Sequence, residues 1–101
     1  MVWSMERLYW LYILASRPRG ALYIGMTNDL GGRVWQHRTG AGSEHADRYR
    51  VWRLVYSESY VNVWDAIARE KQLKKWRRQW KIDLIEAANP TWEDLYPHVL
   101  S

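Results

Sequence analysis

The order of apolar and polar positions predicts six elements. Leu8 to Ala15, rich in Tyr, Trp and Ile, reads as a buried strand. Ser16-Arg17-Pro18-Arg19-Gly20 is a cluster of turn residues, and Ala21 to Met26 is a second short strand, so the two form an antiparallel β-hairpin. Thr27-Asn28-Asp29 caps a helix that runs to about Arg38 and stops before Gly40. Gly31 and Gly32 weaken it by roughly 1 kcal/mol each relative to Ala. Leu30, Val34 and His37 share one face of this helix, with Arg33 beside them. Thr39 to Arg50 is polar and reads as a loop, and Trp52 to Tyr60 alternates as a third strand. Asn62 caps the next helix, with Asp65 as its capping-box partner. That helix ends near Trp76 to Gln79. A last amphipathic helix covers about Trp80 to Ala88, with Trp80, Leu84, Ile85 and Ala88 on one side, until Asn89-Pro90 ends it. The tail has room for one more turn. The order β-β-α-β-α-α predicts an α+β fold, a small antiparallel three-stranded sheet flanked by helices.

Length and composition narrow the class. The 101 residues suit one domain, 1–101, with residues 1–7 as a peripheral or disordered leader. Met5 is an equally good start, which makes residues 1–4 dispensable. Eight Trp and seven Tyr supply much of the apolar bulk; most fill half-buried positions, and such rings can also stack on bases. The absence of cysteine excludes disulfides, zinc–thiolate sites and thiol catalysis, and agrees with a reducing cytoplasm. No apolar run approaches the roughly 20 residues of a membrane span. Leu8 to Ala15 is not a signal-peptide core, because Glu6 precedes it and it continues into the hairpin.

The net charge of +4 is unevenly placed: Arg69 to Lys81 holds seven Lys or Arg and a single acid, Glu70. A stripe of one sign steers a polyanion toward itself, or is simply a solvated helix face. Glu70 is the unusual member. Counted from Ala66 at about 100° per residue, it falls at about 40°, inside the apolar stripe of Val63, Ala66, Ile67 and Leu73. A carboxylate there needs a cationic partner, most simply Arg33 or Arg77, or a metal ion. Arg33 and His37 lie four apart and suit phosphate contact or proton transfer, or are polar residues at the edge of an apolar stripe. Tyr12 and Tyr23 flank the hairpin turn. A turn over 16–19 sets Tyr12 opposite Tyr23, whereas a turn over 16–20 sets it opposite Ile24 and sends the rings to opposite faces.

Taken in order, these residues resemble the GIY-YIG nuclease superfamily. Tyr23-Ile24-Gly25 is the second motif unchanged; Trp10-Leu11-Tyr12 keeps the tyrosine of the first and lacks its glycine. Arg33 and His37 match the family's first-helix arginine and histidine, and Glu70, within Ala68-Arg69-Glu70-Lys71-Gln72-Leu73-Lys74-Lys75-Trp76-Arg77, matches its metal-binding glutamate. The likeness runs from Tyr9 to Leu95 and is nearest to the small, single-domain bacterial YhbQ-like branch. Larger members carry a lysine or an asparagine in the site, for which Thr27 and Asn89 are the nearest positions.

The resemblance implies hydrolysis of DNA phosphodiester bonds with one Mg2+ or Mn2+ ion held by Glu70. Arg33 would neutralise the phosphate, Tyr12 or Tyr23 would orient the attacking water, and His37 would assist. Lys74, Lys75, Arg77 and Arg78 would hold backbone phosphates without reading sequence. The expected partner is DNA, with RNA not excluded and no membrane, and the protein acts as a monomer or weak homodimer in DNA repair or processing. Two other readings stand beside this one: a nucleic-acid-binding module that keeps the fold without turnover, and a protein-interaction module docking through its tryptophans.

Overall fold

The computed structural model describes residues 8–40 and 50–99. The expected leader and most of the expected loop after Thr39 lie outside the described residues. The elements are β1 (Tyr9–Ala15), β2 (Leu22–Thr27), α1 (Leu30–Arg38), β3 (Arg53–Tyr60), α2 (Val63–Lys75), α3 (Arg78–Ala88) and a single helical turn, α4 (Tyr96–Val99). This is the order the hydrophobic pattern predicts.

The sheet order is β2-β1-β3, with β1 central and antiparallel to both neighbours. Leu11 to Ala15 are all buried because helices cover both faces of that central strand. On one face, Leu11, Ile13 and Ile24 pack with Val55, Leu73, Ile82 and Ile85, so α2 and α3 lie there. On the other, Tyr12, Leu14 and Leu54 pack with Leu30 and Val34 of α1 and with Tyr96 and Val99 of α4. Leu73 and Ile85 are fully buried, each contributing about 2 kcal/mol of transfer free energy. A bulge opposite Ile13 and Leu14 shifts the β1–β3 register. It lets consecutive Val55 and Tyr56 both pack on the α2–α3 side while Leu54 faces α1.

The hairpin register differs from both sequence alternatives. Tyr12 pairs with Gly25 and Leu14 with Tyr23. The turn spans residues 16–21, closed by Ser16 N–H to the Ala21 carbonyl at 3.0 Å and by Ala21 N–H to Ser16 Oγ at 3.0 Å. The serine side chain supplies a closing bond that propensity alone does not reveal, and the loop grows by one residue. Tyr12 and Tyr23 therefore share a face, as diagonal neighbours.

Two further expectations are corrected. Asn62 caps α2 through Trp64 N–H at 2.7 Å, not through Asp65 N–H, so the expected capping box is replaced by a simple cap. On α3 the buried residues are Ile82 and Ile85, whereas Ala88 and Trp80 are exposed, Trp80 at 48 %. The helix starts at Arg78, and its contact row continues to Asn89, whose amide is buried. Asn89 Nδ2 donates to the carbonyls of Val55 (3.1 Å) and Glu93 (2.9 Å), tying the end of α3 to β3 and to the tail.

Candidate active site

Edge strand β2 is the meeting line. Tyr12 projects from β1 toward α1, is 1 % exposed, and leans across β2 where that strand has no side chain. A Cβ on Gly25 would lie 2.5 Å from the Tyr12 hydroxyl oxygen. The glycine of the Tyr-Ile-Gly motif is thus the floor on which the Tyr12 ring rests. Beyond it, the Tyr12 hydroxyl lies 3.1 Å from Nε2 of His37, itself 5 % exposed. The ring centroids of Tyr23 and His37 are 5.1 Å apart, those of Tyr12 and Tyr23 6.2 Å, and those of Tyr12 and His37 5.9 Å.

Helix α1 brings in the cation. Asp29 caps it by accepting from Gly32 N–H at 3.2 Å. Arg33 follows on the first turn and His37 one turn later. Arg33 interacts with the hydroxyls of Tyr12 and Tyr23 and donates from Nη1 to Gln36 Oε1 at 2.9 Å. Burial pushes the Tyr12 phenol up to about 12; the Arg33 guanidinium pulls the other way and does not win, and Tyr23 adds to the rise. The bond to Tyr12 outweighs partial burial and holds Arg33 above its ordinary value. Tyr12 is therefore a protonated, buried hydroxyl. Tyr23 is half-buried and lines a cleft. The geometry separates two tyrosines that sequence treats alike.

Glu70 approaches from the other face of the sheet. It is half-buried on α2, and its Oε2 lies 3.3 Å from Nζ of Lys74, an i,i+4 pair. Arg33 and Arg77, the partners that spacing suggests, are engaged elsewhere: Arg77 stacks over Trp80 at 4.8 Å. A neighbour one turn away reaches the carboxylate more easily than either. The flanks of α2 show where Glu70 points. Arg69, on one flank, bonds Glu58 of β3 at 3.0 Å. Lys74, on the Glu70 flank, lines a cleft of about 290 Å3 with Leu22, Tyr23 and Ile24 of β2 and Lys81 of α3. Glu70 thus faces the β2 side, and its ion-pair partner among the described residues is Lys74.

The other expected phosphate contacts divide. Lys75 and Arg77 are exposed. Arg78 is already used: its Nη2 donates to the Gly20 carbonyl at 2.7 Å and to that of Arg19, pinning α3 to the hairpin turn. Thr27 lines a second cleft with Asp29, Arg33 and Gln36, and its Oγ1 accepts from Asp29 N–H at 3.0 Å. Asn89 is spent on backbone carbonyls inside the α2–α3 layer. Sequence reasoning missed Lys81, whose place in the cleft depends on how α3 docks. It also missed Glu58, a half-buried carboxylate bonded by Tyr60 at 2.6 Å, Tyr56 and Arg69. Among the described residues no three His, Asp or Glu side chains gather as a metal cluster, and no helix is long and apolar enough to cross a membrane.

With this geometry in view, comparison with known proteins is direct. Residues 8–83 match the GIY-YIG catalytic domain, and the chain belongs to that family. Among its relatives are UPF0213 proteins. One from Staphylococcus epidermidis is 33 % identical over 78 residues, spanning 77 % of this chain and 94 % of the relative. One from Staphylococcus aureus is 37 % identical over 67 residues, spanning 66 % and 82 %. The solution NMR structure of a UPF0213 protein from Bacillus halodurans matches with a TM-score of 0.55 at 25 % identity, over 86 % of this chain and 92 % of that one. The matches cover most of each relative, which agrees with the small single-domain branch. Membership of a nuclease-domain family supports an endonuclease-like function with nucleic acid as the substrate.

Proposed function

We propose that the chain is a divalent-metal-dependent endonuclease domain that hydrolyses DNA phosphodiester bonds with little sequence specificity. The observation that supports it best is the meeting of Tyr12, Tyr23, Arg33 and His37 at edge strand β2, with Glu70 turned toward the same strand from the opposite face.

Glu70 fits a single Mg2+ or Mn2+ ion. Its carboxylate is half-buried, and its ion-pair partner among the described residues is a lysine that is 54 % exposed. Hard ions of this size accept one carboxylate and complete their shell with water and substrate phosphate. When bound, such an ion supplies Lewis-acid stabilisation of the phosphate and of the leaving oxygen. The chain's own residues do the rest. Arg33 holds a non-bridging oxygen and offsets the charge that grows there. Tyr23, the less buried of the two phenols, accepts a hydrogen bond from the attacking water and aims it. Tyr12 and His37 hold Arg33 and Tyr23 in place. Lys75 and Arg77 grip backbone phosphates, contacts that carry no sequence information. One such site cuts one strand, as a monomer or weak homodimer, in DNA repair or processing in the cytoplasm.

The test is nicking of supercoiled plasmid with Mg2+ or Mn2+. Glu70→Gln and Arg33→Ala are each expected to lower the rate at least about 100-fold; undiminished nicking by either variant overturns the assignment. A binding module without turnover is favoured by one observation, the Lys74–Glu70 pair, which already neutralises the carboxylate. It predicts salt-sensitive DNA binding and no metal-dependent nicking.

A further inference from the structure

The cleft beside Tyr23 contains two lysines from different helices. Lys74 comes from α2 and Lys81 from α3, and the apolar side chains of Leu22 and Ile24 form its wall. Among the described residues no carboxylate lines it, and Glu70 pairs with Lys74. Two cations over a low-dielectric wall focus potential on the space between them. The cleft holds about 290 Å3, ample for a phosphate group. Lys81 is half-buried although it lies in the most basic stretch of the chain. The other basic residues of the stripe do not line it.

We propose that Lys74 and Lys81 form a phosphate subsite beside Tyr23, and that Lys74 passes from Glu70 to the phosphate when DNA binds. In the free protein the ion-pair partner of Lys74 among the described residues is the Glu70 carboxylate at 3.3 Å. A backbone phosphate held by Lys81 gives Lys74 a second anionic partner, set in the dense row of charge along the DNA backbone. Lys74 then leaves Glu70 free to act on a cation. DNA and a divalent ion thus help each other to bind, and the coupling is reciprocal. This rests on the nuclease reading for what Glu70 does, while the subsite itself requires only nucleic-acid binding.

Two measurements test it, neither of which uses cleavage. The first is fluorescence anisotropy of a labelled DNA duplex in EDTA, across a range of salt. Lys81→Met is expected to weaken binding about three- to ten-fold and to reduce the slope of log K against log salt by about 0.9, the value for one phosphate contact. Lys81→Arg is expected to restore both. Lys71→Met, the same charge change at an exposed position of α2 outside the cleft, is expected to change the slope by less than about a third as much. The second is Mn2+ titration without DNA, read by electron paramagnetic resonance. Lys74→Met is expected to tighten Mn2+ binding about two- to five-fold relative to Lys71→Met, the scale of a half-exposed ion pair.

If Lys81→Met behaves like Lys71→Met, the subsite is wrong. If Lys74→Met binds Mn2+ no better than Lys71→Met, the transfer is wrong. Absence of DNA binding by the unaltered protein overturns the whole proposal. A protein that shows the Lys81-dependent slope but never nicks DNA ends the nuclease reading and keeps the subsite. One that nicks through Glu70 with a slope indifferent to Lys81 does the reverse.

Discussion

Gly25 is bare because the Tyr12 ring lies over it, so close that a methyl group in its place would sit 2.5 Å from the phenolic oxygen. The two are direct partners in the β1–β2 ladder, and the contact sets where the Tyr12 hydroxyl meets His37.

Gly25→Ala is therefore expected to push the Tyr12 ring off its floor. The obstructing atoms are the hydroxyl oxygen and the adjoining ring carbons of a buried side chain. A loss of about 1–3 kcal/mol is expected by urea unfolding, together with loss of nicking. A variant as stable as the parent would show that the ring is free to move away from β2.

The two tyrosines are expected to respond differently to losing a hydroxyl. Tyr12→Phe removes a buried hydrogen-bond partner of His37, at about 1 kcal/mol of stability. Tyr23→Phe, at the less buried of the two rings, is expected to cost less stability than Tyr12→Phe and to lower the nicking rate by roughly 100-fold. Thermal unfolding and plasmid nicking of both variants check this. Equal stability losses, or a rate unaffected by Tyr23→Phe, would contradict it.

Alkaline pH should expose the burial of Tyr12. Its phenol keeps its proton to about pH 12 in the fold, against 10.0 for an unperturbed tyrosine. The folded value is raised, so this stability is fully present below pH 10 and lost as pH climbs from 10 to 12. The loss amounts to about 2–3 kcal/mol. Tyr56 and Tyr60 are raised too, by burial first and then by their bonds to Glu58, and they add in the same sense. Unfolding free energies across that range should fall steeply, and less steeply in Tyr12→Phe. An equal slope in that variant would mean that the phenol is not protected.

Arg78 offers a clean separation of anchoring from DNA contact. Its Nη2 donates to two turn carbonyls, those of Arg19 and Gly20. Arg78→Met is expected to cost about 1–2 kcal/mol of stability, while the salt slope of DNA binding stays the same. Arg77→Ala is expected to lower that slope and spare stability. The opposite pattern would place Arg78 among the phosphate contacts.

Much of the site is legible in the chain because it depends on local periodicity. The Leu30, Val34 and His37 face of α1 follows from helical spacing, and all three are buried there. The strand and helix types follow from runs and caps such as Asp29 and Asn62. The partner of Glu70 does not follow, although Lys74 stands four residues away, because an apolar stripe suggests a deeper pocket than the half-buried flank the carboxylate occupies. The contact face of α3 is misleading in sequence because Trp80, large and apolar in part, lies outside the row formed by Ile82 and Ile85.

The sequence by itself determined the elements, their order and the basic stripe, since each is set by neighbours within a turn or two of chain, and its motifs nominated the candidate residues. Only the tertiary structure decided the hairpin register that puts Tyr12 on Gly25, the burial that separates Tyr12 from Tyr23, the use of Arg78 as a tether, and the cleft that joins Lys81 to Lys74. Each of these depends on the packing of groups far apart in the chain. That packing is settled by the close fit of two helical layers on one three-stranded sheet, not by the propensity of any segment.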